Sequence, residues 1–223
     1  MMRDGLLLLG LFLASLLMAL IIWPYTSGRL DIDFLLTKQR FVQLFHYRWA
    51  FYLHIFSSLF VLIAGGTQFS PWILQHWRKV HRWMGRLYVG LILGVAAPAG
   101  LVLAFYGNGG WISQSSFVVL SLLWWVFTFW GLRSALKGQF KRHGDWMIRS
   151  FALTLSAISL RLYQFLLALL LPSLDPEITY LYLAWISWVG NWAVAEYLIY
   201  YGLSQRLLTG SKSKKLSIHS TTS

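Results

Sequence analysis

The chain has 223 residues, of which 57% are hydrophobic and only 12% charged, with a net charge of +12 and no cysteine. A soluble domain carries roughly 25% charged residues, so a deficit gathered into long apolar runs points to a bilayer. The missing thiols exclude disulfides, cysteine-ligated iron–sulfur clusters, covalently attached c-type haem and thiol catalysis. The positive charge sits at the ends of apolar runs, as expected of membrane loops and not of a nucleic-acid surface.

Crossing the hydrocarbon takes ~20 apolar residues as a helix, and the runs lack the alternation of a barrel. The first helix is expected over residues 5–23, as a transmembrane anchor within segment 1–23. It is retained, because Trp23-Pro24-Tyr25-Thr26 is no small-residue cleavage site. Residues 24–48 form an outer connection in which Phe34, Leu35, Lys38, Phe41, Val42 and Phe45 fall at helical spacing, predicting a helix lying on the membrane surface. Further helices are predicted over 49–69, over 81–106 with a kink at Pro98, over 116–136 after a Gly107–Gly110 turn, over 145–171, and over 178–203. The fold class is therefore an all-α polytopic membrane protein of about six transmembrane helices. Residues 49–203 make a five-helix domain, helices two to five form a four-helix bundle core, and 204–223 are a basic cytoplasmic tail.

Fourteen of the 19 Lys and Arg lie in Arg3, the loops at 78–86 and 133–149, and the tail. Four (Arg29, Lys38, Arg40 and Arg48) lie on the other side, and Arg161 is inside the fifth helix. This asymmetry predicts cytoplasmic N- and C-termini in a bacterial inner membrane, with the lipid bilayer as the principal partner.

Polar groups inside membrane helices are costly and ask for a reason. His54 lies about 8 Å inside the outer face, while His81 and His143 open two helices at the cytoplasmic face. Arg161, about 27 Å or five turns beyond His143, shares its stripe at the level of His54. Glu196 returns to the level of His81 and His143, as an ion-pair partner for Arg86 or Arg149. Two imidazoles from facing helices of a bundle suit the axial positions of a b-type haem, which makes His81 and His143 candidate iron ligands. Gly85 and Gly144 would give room for the macrocycle edge. His54 and Arg161 then form a second candidate site, for another cofactor, a quinone or a redox partner. The reading that follows is transmembrane electron transfer. The alternatives are an accessory or assembly subunit of a larger membrane complex and a solute or ion transporter using Arg161 and Glu196.

Tyr52-Leu53-His54-Ile55, Gln68-Phe69-Ser70, the run from Val80 to Tyr88, the run from Arg142 to Ser150, and Leu160-Arg161-Leu162 together resemble a bacterial family of predicted membrane proteins known as domain of unknown function 2306. The resemblance covers roughly residues 49–165 and implies a family without a set function. A second similarity is to the transmembrane di-haem cytochrome b family and its ferric-reductase relatives, whose core histidines pair two helices apart. His81 and His143 look like one such pair; helix four has no histidine to partner His54.

Overall fold

The computed structural model describes residues 2–208; the remainder of the basic tail lies outside the described residues. The chain is helical, with α1 (Met2–Ile22), a short α2 (Asp33–Leu36), α3 (Phe45–Gln68), α4 (Pro71–His76), α5 (Arg78–Leu91), α6 (Ala97–Ala104), α7 (Gly110–Leu136), α8 (Phe140–Thr154), α9 (Ser156–Leu170) and α10 (Pro176–Tyr200). Five segments are long and apolar enough to cross a membrane: Leu8–Ser27, α3, α5 through α6, α7, and α8 through α9. The 25 residues of α10 extend about 37 Å, also enough to cross, but Trp, Tyr, Asn191 and Glu196 make it less apolar.

The four-helix core is present. The helix α3 packs on α5 and α6, α6 on α7, and α7 on α8, with α8 closing back on α3. The core recruits the flanking helices as well, since Met18 of α1 and Trp188 of α10 are buried with Val61, Tyr88, Trp124 and Phe151.

Two of the expected helices are interrupted. The third passes through a π-helical turn at Ile92–Ala96 just before Pro98. There the Ala97 amide bonds to Ile92 O, five residues back, which frees Leu93 O to accept the Trp125 indole N–H at 3.2 Å. Neighbouring helices re-satisfy the released carbonyl, which is how membrane helices tolerate such breaks.

The fifth helix stops at Thr154 and restarts at Ser156. The Thr154 hydroxyl donates to Ser150 O at 3.1 Å, a back-bond of the kind that bends helices. This break removes the straight stripe expected to join His143 to Arg161.

The outer connection also differs from expectation. No continuous surface helix forms between Phe34 and Phe45. A 3-10 turn over Trp23–Ser27, the four residues of α2 and a run of turns fold inward instead. Leu35 and Val42 are buried against Tyr25, Tyr47 and Phe51 and cap the bundle, while Phe34 and Phe45 stay exposed. The helix that follows consequently starts at Phe45, four residues before the expected Trp49.

A buried set of hydroxyls ties α5, α7 and α8 at mid-depth. The Tyr88 hydroxyl lies 2.8 Å from Ser150 Oγ and 2.9 Å from Thr154 Oγ1. Ser150 Oγ lies 2.7 Å from Thr128 Oγ1, which donates to Trp124 O at 2.7 Å. The Trp124 indole N–H donates to Thr154 Oγ1 at 3.1 Å and closes the circuit. Every member is satisfied, as a buried polar network in lipid must be.

Candidate functional site

One face of the bundle carries Lys38, the Gly107–Gly110 turn and Glu177; the other carries the arginine-rich loops. We call them the cavity face and the basic face. A cavity of about 900 Å³ opens from the cavity face and reaches Leu62, Trp124 and Leu153 near mid-depth. It is at the upper end of the ~300–1,000 Å³ range of small-molecule sites.

The stripe of α3 that lines it is Tyr47, Phe51, His54, Ser58 and Leu62, spaced four, three, four and four residues apart. This is one face of a helix. The His54 ring donates from Nδ1 to Ala96 O at 2.8 Å, at the end of the π-helical turn. The space is so tight that a Cβ on Gly100 would lie 2.9 Å from His54 Cε1 and 3.0 Å from Nδ1. Only a glycine lets α6 approach the imidazole this closely. The bond fixes the neutral tautomer and leaves Nε2 as an acceptor, with no hydrogen bond to it from the described residues.

Arg161 enters the cavity from α9, within electrostatic reach of His54, Tyr25 and Tyr180. Its guanidinium donates to Ala157 O at 2.9 Å, and it forms no ion pair with a carboxylate among the described residues. The hydroxyls of Tyr47 and Ser58 are buried, belong to residues lining the same cavity and have no hydrogen-bond partner among the described residues. At the mouth, Lys38 is only 3% exposed and donates to Tyr106 O and Asn108 Oδ1. Burial pushes its pKa down to about 8. Tyr47, Ser58 and Lys38 were missed as site residues, and only the enclosed space sets them apart.

At the basic face His81 and His143 lie within electrostatic reach of each other. His143 donates from Nδ1 to Gly131 O at 2.9 Å, while His81 Nδ1 is buried without a partner. The room expected over the two neighbouring glycines is filled by the protein itself. A Cβ on Gly85 would meet Gln68 Oε1 at 3.1 Å, and one on Gly144 would meet Ser204 Cβ at 2.9 Å. Glu196 accepts from Arg149 at 2.6 and 2.8 Å and from the Trp192 indole at 2.7 Å, so Arg149 is its partner. Asn191 joins α10 to α8 and α9 through Ala152 O and the Ser159 hydroxyl. Glu196 and Arg161 therefore belong to opposite ends of the bundle. Among the described residues, no group of three His, Cys, Asp or Glu is arranged to hold a metal ion.

Residues 51–199 match the family model described as Predicted membrane protein (DUF2306). That span exceeds half of the chain, and the protein belongs to this family. No curated protein and no solved structure matches the chain.

Proposed function

We propose that this integral membrane protein binds a quinone-class ligand in the cavity, with the ligand head held between His54 and Arg161. The observation that carries this reading is Arg161 itself. An arginine inside a membrane helix needs a partner, and among the described residues this one has no carboxylate within ion-pair distance, although Glu177 lies on the same cavity lining. The Ala96 bond makes His54 Nε2 a fixed acceptor, and the guanidinium is an obligatory donor. A ligand matched to both presents a hydroxyl to the imidazole and a carbonyl or anionic oxygen to the arginine. Quinols carry such a hydroxyl, their second oxygen accepts from a guanidinium, and the apolar depth around Leu62 and Leu153 suits their tails.

Binding of a short-chain benzoquinol, kept reduced, to the protein in nanodiscs tests the reading. His54→Ala and Arg161→Gln should each weaken binding by ~tenfold or more, about 1.4 kcal/mol. Equal binding by both variants, or none by the unaltered chain, overturns it.

A second reading, electron transfer through a b-type haem, is favoured by His81 and His143. Their proximity brings two imidazoles together, and the His143 bond to Gly131 O leaves its Nε2 available as a ligand. A macrocycle seated there has to displace Gln68 and Ser204 from the spaces over Gly85 and Gly144. A reduced-minus-oxidised spectrum without haem bands, after expression with ample haem, removes this reading. The charge asymmetry supports a bacterial inner-membrane location with the basic face in the cytoplasm, placing the cavity toward the periplasm.

A further inference from the structure

The cavity wall is built from α1, α3, α6, α7, α9 and α10, with Leu153 and Thr154 of α8 as its floor. Around this ring each helix packs on a neighbour, except at one place. The helix α1 packs on α3, and α9 packs on α10 and α8, but α1 and α9 do not pack closely against each other. Both nevertheless line the cavity, through Met18, Ile21 and Ile22 on one side and Ile158, Leu160 and Gln164 on the other. The gap between them is at the depth of the hydrocarbon, roughly 9–14 Å from the cavity-face ends of these helices. Its flanks are lipid-type surface: Leu17 and Leu20 on α1 and Leu162, Phe165 and Leu169 on α9 are exposed.

Arg161 stands at this gap. It lines the cavity yet keeps an exposed surface, and it lies within electrostatic reach of Tyr25, just beyond α1, and of Tyr180 on α10. A guanidinium at such a place would be exposed to hydrocarbon, unless an oxygen-bearing head group passing inward met it.

We infer that the gap between α1 and α9 is a lateral portal through which the cavity takes its ligand from the bilayer, with Arg161 at its lip. The inference rests on the quinone-class reading and deepens it. The ligand is a membrane-dissolved amphiphile whose apolar chain stays in lipid or follows into the deep end of the cavity. The polar mouth beside Lys38 and Asn108 is a separate, aqueous opening suited to short, water-soluble analogues.

The chain has no cysteine, so a pair introduced outside the cavity lining reports cleanly. Leu20→Cys with Leu162→Cys, reconstituted in proteoliposomes, is bridged by bifunctional thiosulfonates of graded length and released by dithiothreitol. Two probes are followed, both kept reduced: a benzoquinol with a long isoprenoid chain supplied in the lipid, and a short-chain benzoquinol added from water. Bridging should slow association of the long-chain probe by ~tenfold or more, with recovery on reduction, and leave the short-chain probe unchanged. Failure of every spacer to bridge the pair overturns the portal, as does long-chain association indifferent to the bridge. Binding of neither probe to the unbridged protein rejects the ligand site together with its portal, which separates the two failures.

Discussion

Gly100→Ala and Gly90→Ala make the same chemical change about three helical turns apart, and the structure assigns them opposite signs. An added Cβ at Gly90 meets nothing within 4 Å, whereas one at Gly100 lands 2.9 Å from His54 Cε1 and 3.0 Å from Nδ1. Removing helical glycine is worth about 0.5–1 kcal/mol in backbone entropy at either site. At Gly90 that is the whole effect, so the variant is stabilised. At Gly100 the imidazole has to retreat by about 0.5 Å to reach ordinary van der Waals distance. A retreat of that size takes the 2.8 Å bond to Ala96 O out of the usual hydrogen-bond range.

Losing one such bond in a membrane protein costs about 0.6 kcal/mol on average and ~1.7 at most. Overpacking adds about 1–3 kcal/mol. After the entropic gain, Gly100→Ala should lose about 0.6–4 kcal/mol. The gain is common to both variants, so they differ by the bond and the overpacking, at least ~1.6 kcal/mol or some 15-fold in the folding equilibrium. Denaturant titration in bicelles reads the difference directly. The Gly100 variant should also bind the short-chain quinol more weakly, because the Nε2 acceptor is no longer fixed. Equal signs at the two positions, or an unaffected His54 site, would show that the close approach of α6 does not position the ring.

Tyr88→Phe should destabilise by about 1–2 kcal/mol, since Thr154 can still donate to Ser150 O and no buried donor is orphaned. A double-mutant cycle with Ser150→Ala in the same titration should show non-additivity, and strict additivity would dissolve the circuit. The Lys38 ammonium, held near pKa 8 against an ordinary 10.5, binds its proton less tightly folded than unfolded. Stability should therefore be insensitive to this group below about pH 8 and rise from there toward 10.5, as thermal melts at fixed ionic strength would show. Lys38→Met should flatten that rise. Glu196→Gln removes a pair whose carboxylate side chain is 44% exposed, so its cost should stay below about 1 kcal/mol and shrink with added salt. A larger, salt-independent loss would mean that the pair is far drier than its exposure indicates.

Long elements were legible because each needed only an apolar run and a stop. The predicted α7 ended at Leu136, as found, and the break for the third helix was placed at Pro98, two residues beyond the π-helical turn. The outer connection was misread because the 34–45 spacing cannot say whether lipid or the protein covers an apolar face. Tyr25, Tyr47 and Phe51 cover it here. The break at Leu155 left no Pro or Gly to announce it, since a threonine back-bond and packing cause it. His54 and Arg161 were singled out by polarity alone, and the structure brings them to one cavity. Their companions Tyr47, Ser58 and Lys38 carry groups that are commonplace near a membrane interface. Only the enclosed space distinguishes them.

The two helix breaks also account for the cavity. Ile92 lies about 21 Å from the start of α5, and Leu155 about 23 Å from the start of α8, so both helices break at one level. On the basic side of that level the helices are held at contact distance by missing side chains. A Cβ on Gly65 would meet Phe151 at 2.6 Å, and one on Gly131 would meet Met147 at 2.6 Å. Above the break α6 stays against α3 and α7, while α9 keeps Ala157 and Ile158 on the core and packs mainly on α10. A bundle clamped along one half, with one of its four members diverted in the other, opens as a wedge. The floor of the wedge is the hydroxyl circuit at Thr154 and Trp124. Its unclosed side is where α9 no longer meets a neighbour across from α1. The proposed ligand site and portal would then be two consequences of the single interruption at Leu155, with Arg161 six residues further on.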